Sequence, residues 1–366
     1  MKKALQNTRD MNFGDLPIPL EAENRTSLLW WIVKYFRDFA TGQPITLKFK
    51  AQDLKHFFQW YISFKKNDLI ANWSKATSNE YVNFLVSEQL PTDRGKKKKG
   101  DARWSNRSVN RKIDHLKGFS KWVFSQVPSP LVHNPMDKIK RLDVPVLEAK
   151  RIPPDVLEAL TTSALHLEGT ERSSDLNRYK IESLPLKKTA RPARDYAIFA
   201  LLKGSGLRVQ AIANLNADQV KPRRLAKVKE KGSQERSVVI SKEAYQAIKN
   251  YIGTERKKDS KRWENARALF LSIPQTKSRM GSATGRMDVS SLRRVVKKIS
   301  ARALGQGSTE IYPHLFRHHM GYVMERQGGI TAVQRQLGHK NLAYSSIYCQ
   351  KTDEELEQFL DGEGNL

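Results

Sequence analysis

Two arginines, Arg208 and Arg317, two histidines, His314 and His339, and one tyrosine, Tyr348, stand in the second half of a 366-residue chain. Their types suit chemistry on a phosphate. A guanidinium holds two oxygens of one phosphate in a forked geometry and stabilises the charge that grows as phosphorus becomes pentavalent, which neutral amides cannot do. His314 and Arg317 lie three residues apart, so on a helix they share a face, and either His314 or His339 can accept a proton or donate a hydrogen bond. Tyr348 then supplies the nucleophile, since a phenol with an ordinary pKa of about 10 is activated by a base or by flanking cations. Taken alone, such a tyrosine is a structural residue on a helix face; in this company it reads as the attacking group. The set needs no metal, because arginines take its place.

The rest of the composition agrees with an anionic partner. Lys and Arg number 65 against 38 Asp and Glu, a formal net charge of +27, which repels itself unless nucleic acid or an acidic membrane surface neutralises it. The longest apolar stretch, Leu28 to Val33, falls far short of the roughly 20 residues a bilayer span needs, and Met1-Lys2-Lys3 leads into no apolar segment. Membrane association and secretion are therefore not expected, and a cytoplasmic, nucleoid-associated protein is. Cys349 is the single cysteine, which excludes an intramolecular disulfide and a zinc site built on several thiolates; it is expected to be a small buried residue. A phosphate-binding P-loop and an H-E-x-x-H helix are both absent, so neither ATP, nor any other cofactor, nor a bound metal is expected.

Helices must position these groups. From Thr26 to Gln126 the pattern reads as four amphipathic helices: Leu29, Ile32, Val33 and Phe36 stripe the first, and Leu54, Phe57, Phe58, Tyr61 and Ile62 the second. Thr77 or Ser78 is expected to cap the third, which carries Tyr81, Phe84 and Leu85. The fourth has a dry side, Val109, Ile113, Leu116, Phe119 and Val123, and a cationic side, Arg107, Arg111, Lys117 and Lys121, offered as DNA contacts, with Lys96 to Lys99 just upstream. Ser129-Pro130 and Asn134-Pro135 stop the helices, and Val144-Pro145 to Pro153-Pro154 reads as an extended basic linker. Beyond it come a helix opened by Pro153-Pro154 and another from Ala193 to Lys203, ended by Gly204 and Gly206. A strand pair, Leu225 to Lys229 and Arg236 to Ser241, turns through Gly232-Ser233. Helices follow around Ala244 to Ile252, Val289 to Ala303, His314 to Arg326 and Thr331 to Leu337. The expected fold is mostly α with a small β hairpin or sheet.

In order along the chain, Arg194-Asp195-Tyr196-Ala197 through Gly206-Leu207-Arg208 to Leu215, Lys231 in Glu230-Lys231-Gly232, Pro313-His314-Leu315-Phe316-Arg317-His318, Leu337-Gly338-His339, and Tyr348 nine residues later resemble the boxes of the tyrosine recombinases of the phage integrase family. The four-helix region ending in Asn134-Pro135 resembles that family's core-binding domain. The resemblance implies an amino-terminal segment (1–25), a helical core-binding domain (26–141), a linker (142–150), a mixed α+β catalytic domain (151–352) and an acidic tail (353–366), with the two domains clamped around duplex DNA. It also implies a metal-free and ATP-free reaction. Tyr348 attacks a scissile phosphate to give a 3′-phosphotyrosyl bond, Lys231 protonates the leaving oxygen, and Arg208 and Arg317 bind the non-bridging oxygens. His314 helps to deprotonate the tyrosine and His339 bonds the phosphate. Strands are exchanged through a Holliday junction within a homotetramer on two synapsed sites.

Departures from the family stand beside the match. Gln210 and Ala211 replace the usual small polar residue and glutamate after the first arginine, Phe316 replaces a leucine, and Cys349-Gln350 follows the tyrosine. Lys229 competes with Lys231 for the hairpin role, since strand alternation puts both on one face. His318 and His319 are expected to pack or to face solvent. Residues 168–189 read as an insertion of unknown role. In the tail, Thr352 and Glu355 form a capping box ahead of Leu356, Phe359 and Leu360, a helix that either folds back or docks on a neighbouring protomer. Two other functions fit the same residues: a type IB topoisomerase-like enzyme, and a catalytically silent architectural DNA-binding protein.

Overall fold

Ser27 starts the first helix by accepting a hydrogen bond from the Trp30 amide at 3.3 Å, and its hydroxyl donates to Asp68 at 2.6 Å. The computed structural model describes residues 24–40, 42, 44–88, 103–144, 151–166, 191–230, 235–263, 265–273, 284–305, 311–339, 341–349 and 357. The chain divides into two compact units, Met1–Val146 and Leu147–Leu366.

The described residues of the first unit form four α-helices: α1 (Leu28–Asp38), α2 (Pro44–Lys65), α3 (Lys75–Ser87) and α4 (Asn106–Phe124). Leu54, Phe57, Tyr61, Leu85, Val109, Ile113, Phe119 and Val123 are sealed from water at their centre. On α1 the buried arc is wider than the expected stripe: Trp30, Trp31 and Tyr35 are buried, whereas Leu29 and Phe36 are only partly so, because the helix packs on both α2 and α4. The cap of α3 also differs from expectation. Ser74 caps it, in reciprocal hydrogen bonds with Thr77, and this leaves Thr77 and Ser78 buried within the first turn.

The second unit is built around α6 (Pro192–Ser205), whose residues Ala197 to Leu202 are all buried and which therefore shows no amphipathic stripe. Around it lie α5 (Pro154–Leu165), α7 (Val209–Asn214), α8 (Lys242–Tyr251), α9 (Val289–Leu304) and α10 (Pro313–Leu337). A three-stranded antiparallel sheet in the order β1 (Val220–Lys221), β2 (Arg224–Lys229), β3 (Glu235–Val239) pairs Leu225 with Val238 and Lys229 with Glu235. The two-residue β1 is too short to alternate and is not legible in the sequence. At Gly329 the backbone turns to a φ of 65°, so the two helices expected between His314 and Leu337 meet there end to end. Phe316 is buried edge-on against Phe199, with ring centroids 5.5 Å apart, and so is a core residue.

Gly206 ends α6 in the left-handed region, at a φ of 65°. A Cβ there would stand 2.7 Å from Met320 and 2.8 Å from Leu337, so glycine alone lets the end of α6 approach α10 closely enough to carry Leu207 and Arg208 onto its surface. Among the described residues no group of three or more His, Cys, Asp or Glu is placed to hold a metal ion, and no helix is long and apolar enough to cross a membrane. The lysine run 96–99, the insertion 168–189, Lys231 and, save Glu357, the acidic tail lie outside the described residues.

Candidate active site

Arg208 occupies the position just before α7, and its Nη1 donates to Glu230 Oε2 at 3.0 Å. Facing it, α10 presents His314, Arg317 and His318 at three- and four-residue spacing. The rings of His314 and His318 meet edge-on at 4.7 Å. Arg317 is among the largest fully buried side chains of the protein, with 2% exposure. Nη1 donates to the Gly206 carbonyl at 2.9 Å and Nη2 to that of Leu337 at 2.7 Å, which ties the ends of α6 and α10 together. Burial, and then the nearby Arg208, bring the Arg317 pKa down to about 10, so the group stays charged at neutral pH.

Gly338 ends α10 in the left-handed conformation and turns the chain to His339, whose Nδ1 shares a hydrogen bond of 2.8 Å with the buried Ser345 hydroxyl. Burial, together with Arg317, Arg208 and Arg236, pushes the His339 pKa to about 4; His314 is also lowered, by burial and by Arg317 and Arg208. His339 is thus a neutral imidazole at physiological pH, and the shift at His314 likewise favours the neutral form able to accept a proton. A 3₁₀ turn, Ser346–Tyr348, delivers the tyrosine. Its ring lies near parallel to His339 at 6.3 Å and packs with Val333 and Leu337. Gly321 makes the space: a Cβ there would meet the ring at 2.6 Å. Burial raises the Tyr348 pKa, while Arg317 and Arg208 pull it down. The phenol is therefore protonated at neutral pH.

One imidazole stands within hydrogen-bond reach of that phenol. The Tyr348 hydroxyl is 3.2 Å from His318 Nδ1, within hydrogen-bond reach, so His318 neither merely packs nor merely faces solvent. Its position four residues after His314 is the signal the sequence offers. Five expected residues, Arg208, His314, Arg317, His339 and Tyr348, thus gather in the second unit, and His318, Glu230, Arg236 and Ser345 join them unannounced. Lys229 is exposed and 3.7 Å from Glu235. Cys349 is exposed instead of buried, because the 3₁₀ turn that buries Tyr348 rotates the next residue outward.

On the cationic side of α4, Arg107 and Lys121 are exposed and Lys117 half-buried. Arg111 is placed differently from a free phosphate ligand: it grips the buried Asp53 of α2 at 2.9 and 3.0 Å, with His115 at 2.8 Å and the buried Lys112 at 3.2 Å on the same carboxylate. Burial would raise the Asp53 pKa, but these partners hold it at about 2. The periodicity of α4 gives no hint of an acidic partner for Arg111, because that partner comes from another helix.

Comparison with known proteins adds independent findings. The phage integrase family matches residues 180–355. Tyrosine recombinase XerC of Caldanaerobacter subterraneus subsp. tengcongensis is 25% identical over 358 residues, which cover 93% of this chain and 87% of the relative. Among solved structures, the Tn1549 transposon integrase in complex with a circular intermediate DNA superposes with a TM-score of 0.60 at 15% identity, covering 92% of this chain and 99% of that one. The XerH site-specific recombinase bound to its difH substrate does so with a TM-score of 0.58 at 15% identity, covering 90% and 82%. At such identities the superpositions speak to the fold.

Proposed function

The chain belongs to the phage integrase family of tyrosine recombinases, and from that premise we propose a site-specific recombinase whose Tyr348 cuts and rejoins duplex DNA. The observation that carries this reading is the buried Tyr348 hydroxyl bonded to His318 in a site that also holds Arg208, Arg317 and His339. The tyrosine oxygen forms a bond to phosphorus as the bond to the 5′ oxygen breaks, leaving a 3′-phosphotyrosine and a free 5′-hydroxyl. The phenolic proton goes to His318, with His314 against its ring, and Lys231 gives a proton to the leaving oxygen. Arg208, Arg317 and His339 hold the non-bridging oxygens. Phosphoester energy stays in the enzyme bond, so the hydroxyl of a second strand reverses the step without ATP. Exchange between two sites then proceeds through a Holliday junction in a homotetramer working on chromosomal or mobile DNA in the cytoplasm.

The test begins with duplexes selected from a randomised pool by binding to the protein. Two copies of the selected site on one supercoiled plasmid should recombine in the presence of EDTA and without ATP. Relaxation of plasmids that lack the site would point to a topoisomerase, and abolition by EDTA would overturn metal-free cleavage.

On α4, Lys117 and Lys121 are proposed to bind phosphates together with Arg107. Replacing Lys117 and Lys121 by alanine is expected to lower the slope of log affinity against log salt by roughly 0.9 for each phosphate no longer neutralised. An unchanged slope returns the face to solvent.

A further inference from the structure

Glu230 follows the last residue of β2, and its carboxylate, with 8% of the side chain exposed, lies between two guanidiniums. Oε2 accepts from Arg208 Nη1 at 3.0 Å, and Oε1 accepts from Arg236 Nη2 at 2.9 Å. Arg236, on β3, also donates to the carbonyls of Arg335 at 3.1 Å and Gln336 at 2.9 Å, in the last turn of α10 before His339. The Gln336 side chain completes the tie by donating to the carbonyls of Ser205 and Val239, both at 2.9 Å. One carboxylate therefore links the sheet, Arg208 and the helix end that carries His339.

The helix that Arg208 introduces offers no acid for this. Helix α7, which Arg208 introduces, has the sequence VQAIAN and carries no charge, and Ala211 on it is buried. An arginine whose aliphatic stem starts at a helix end, with nothing on that helix to orient it, samples many rotamers. Charge argues the same way: Glu230 offsets part of the mutual repulsion of the guanidiniums of Arg208, Arg236 and Arg317.

We propose that Glu230 is the positioning residue of this site, holding Arg208 in its phosphate-binding orientation and joining it through Arg236 to the His339 end of α10. This role rests on the recombinase reading. Its signature differs from that of a merely structural carboxylate. Glu230→Gln removes a negative charge beside the DNA, so affinity for the duplex should be equal or tighter, while the single-turnover rate of covalent adduct formation on a nicked suicide duplex falls by roughly a hundredfold. Because Glu230 acts through Arg208, the same substitution in an Arg208→Ala background should cost little more than Arg208→Ala alone. Glu230→Asp, charged but one methylene shorter, should fall between, and it carries the test where the glutamine variant does not fold. Wild-type rates in Glu230→Gln, or a loss that multiplies with that of Arg208→Ala, would overturn the positioning role alone. Failure of the wild-type chain to form any adduct would instead overturn the recombinase reading on which it rests.

Discussion

Replacing Tyr348 by phenylalanine is expected to leave the protein folded and bound to its DNA while abolishing the covalent adduct altogether. The ring is what the fold uses: Tyr348 is 2% exposed, stacked near His339 and packed on Val333 and Leu337, and phenylalanine keeps all of that. What disappears is one hydrogen bond, to His318 at 3.2 Å, a change of about 1 kcal/mol in stability. The chemistry has no such reserve, because no second oxygen lies on that ring to attack phosphorus. A denaturing gel of the variant incubated with a nicked suicide duplex should show free protein only, with a gel-shift affinity equal to wild type. A protein–DNA band from the phenylalanine variant would mean that another residue is the nucleophile.

How much of this is legible from the sequence depends on whether the information is local. His314 and Arg317 share a face because helical spacing says so, and α4 buries Val109, Ile113, Leu116, Phe119 and Val123 as its periodicity requires. Glu230 and Arg236 cannot be assigned in the same way. Their meaning arises only when the sheet brings β2 and β3 against the end of α10, some hundred residues later in the chain. Arg111 shows the converse: its neighbours on α4 give it a cationic face, and only the fold reveals that it also pairs with Asp53 from α2. Helix α6 is found by its glycine stop, yet its all-round burial carries no stripe from which to predict its place at the centre. The Ser74 cap escapes notice because a capping box with threonine at its third position lacks the usual glutamate or glutamine.

Arg317→Lys carries the second large effect, and it should slow adduct formation by at least roughly a hundredfold, about 2.7 kcal/mol or more in barrier. Two of the five N–H groups of Arg317 are committed, one to the Gly206 carbonyl and one to that of Leu337. Of the remaining three, two on adjacent nitrogens can still meet oxygens of one phosphate in the plane of the fork. An ammonium has three donors around a point and cannot satisfy two carbonyls and a phosphate in that geometry. Its charge is also less secure. The surroundings that bring the arginine pKa to about 10 would act on a lysine whose ordinary value is about 10.4, and would bring it within reach of neutral pH. The sign follows: the cation is the active form, so the residual activity of the variant should fall as pH rises above neutrality, while arginine holds its charge across that range. Some stability goes as well, about 1–3 kcal/mol if one carbonyl is left unpaired in the core, so rates are to be compared at a temperature where both proteins are fully folded. Near-normal cleavage by the folded lysine variant, with no added loss at high pH, would show that Arg317 ties α6 to α10 and leaves the phosphate to other residues.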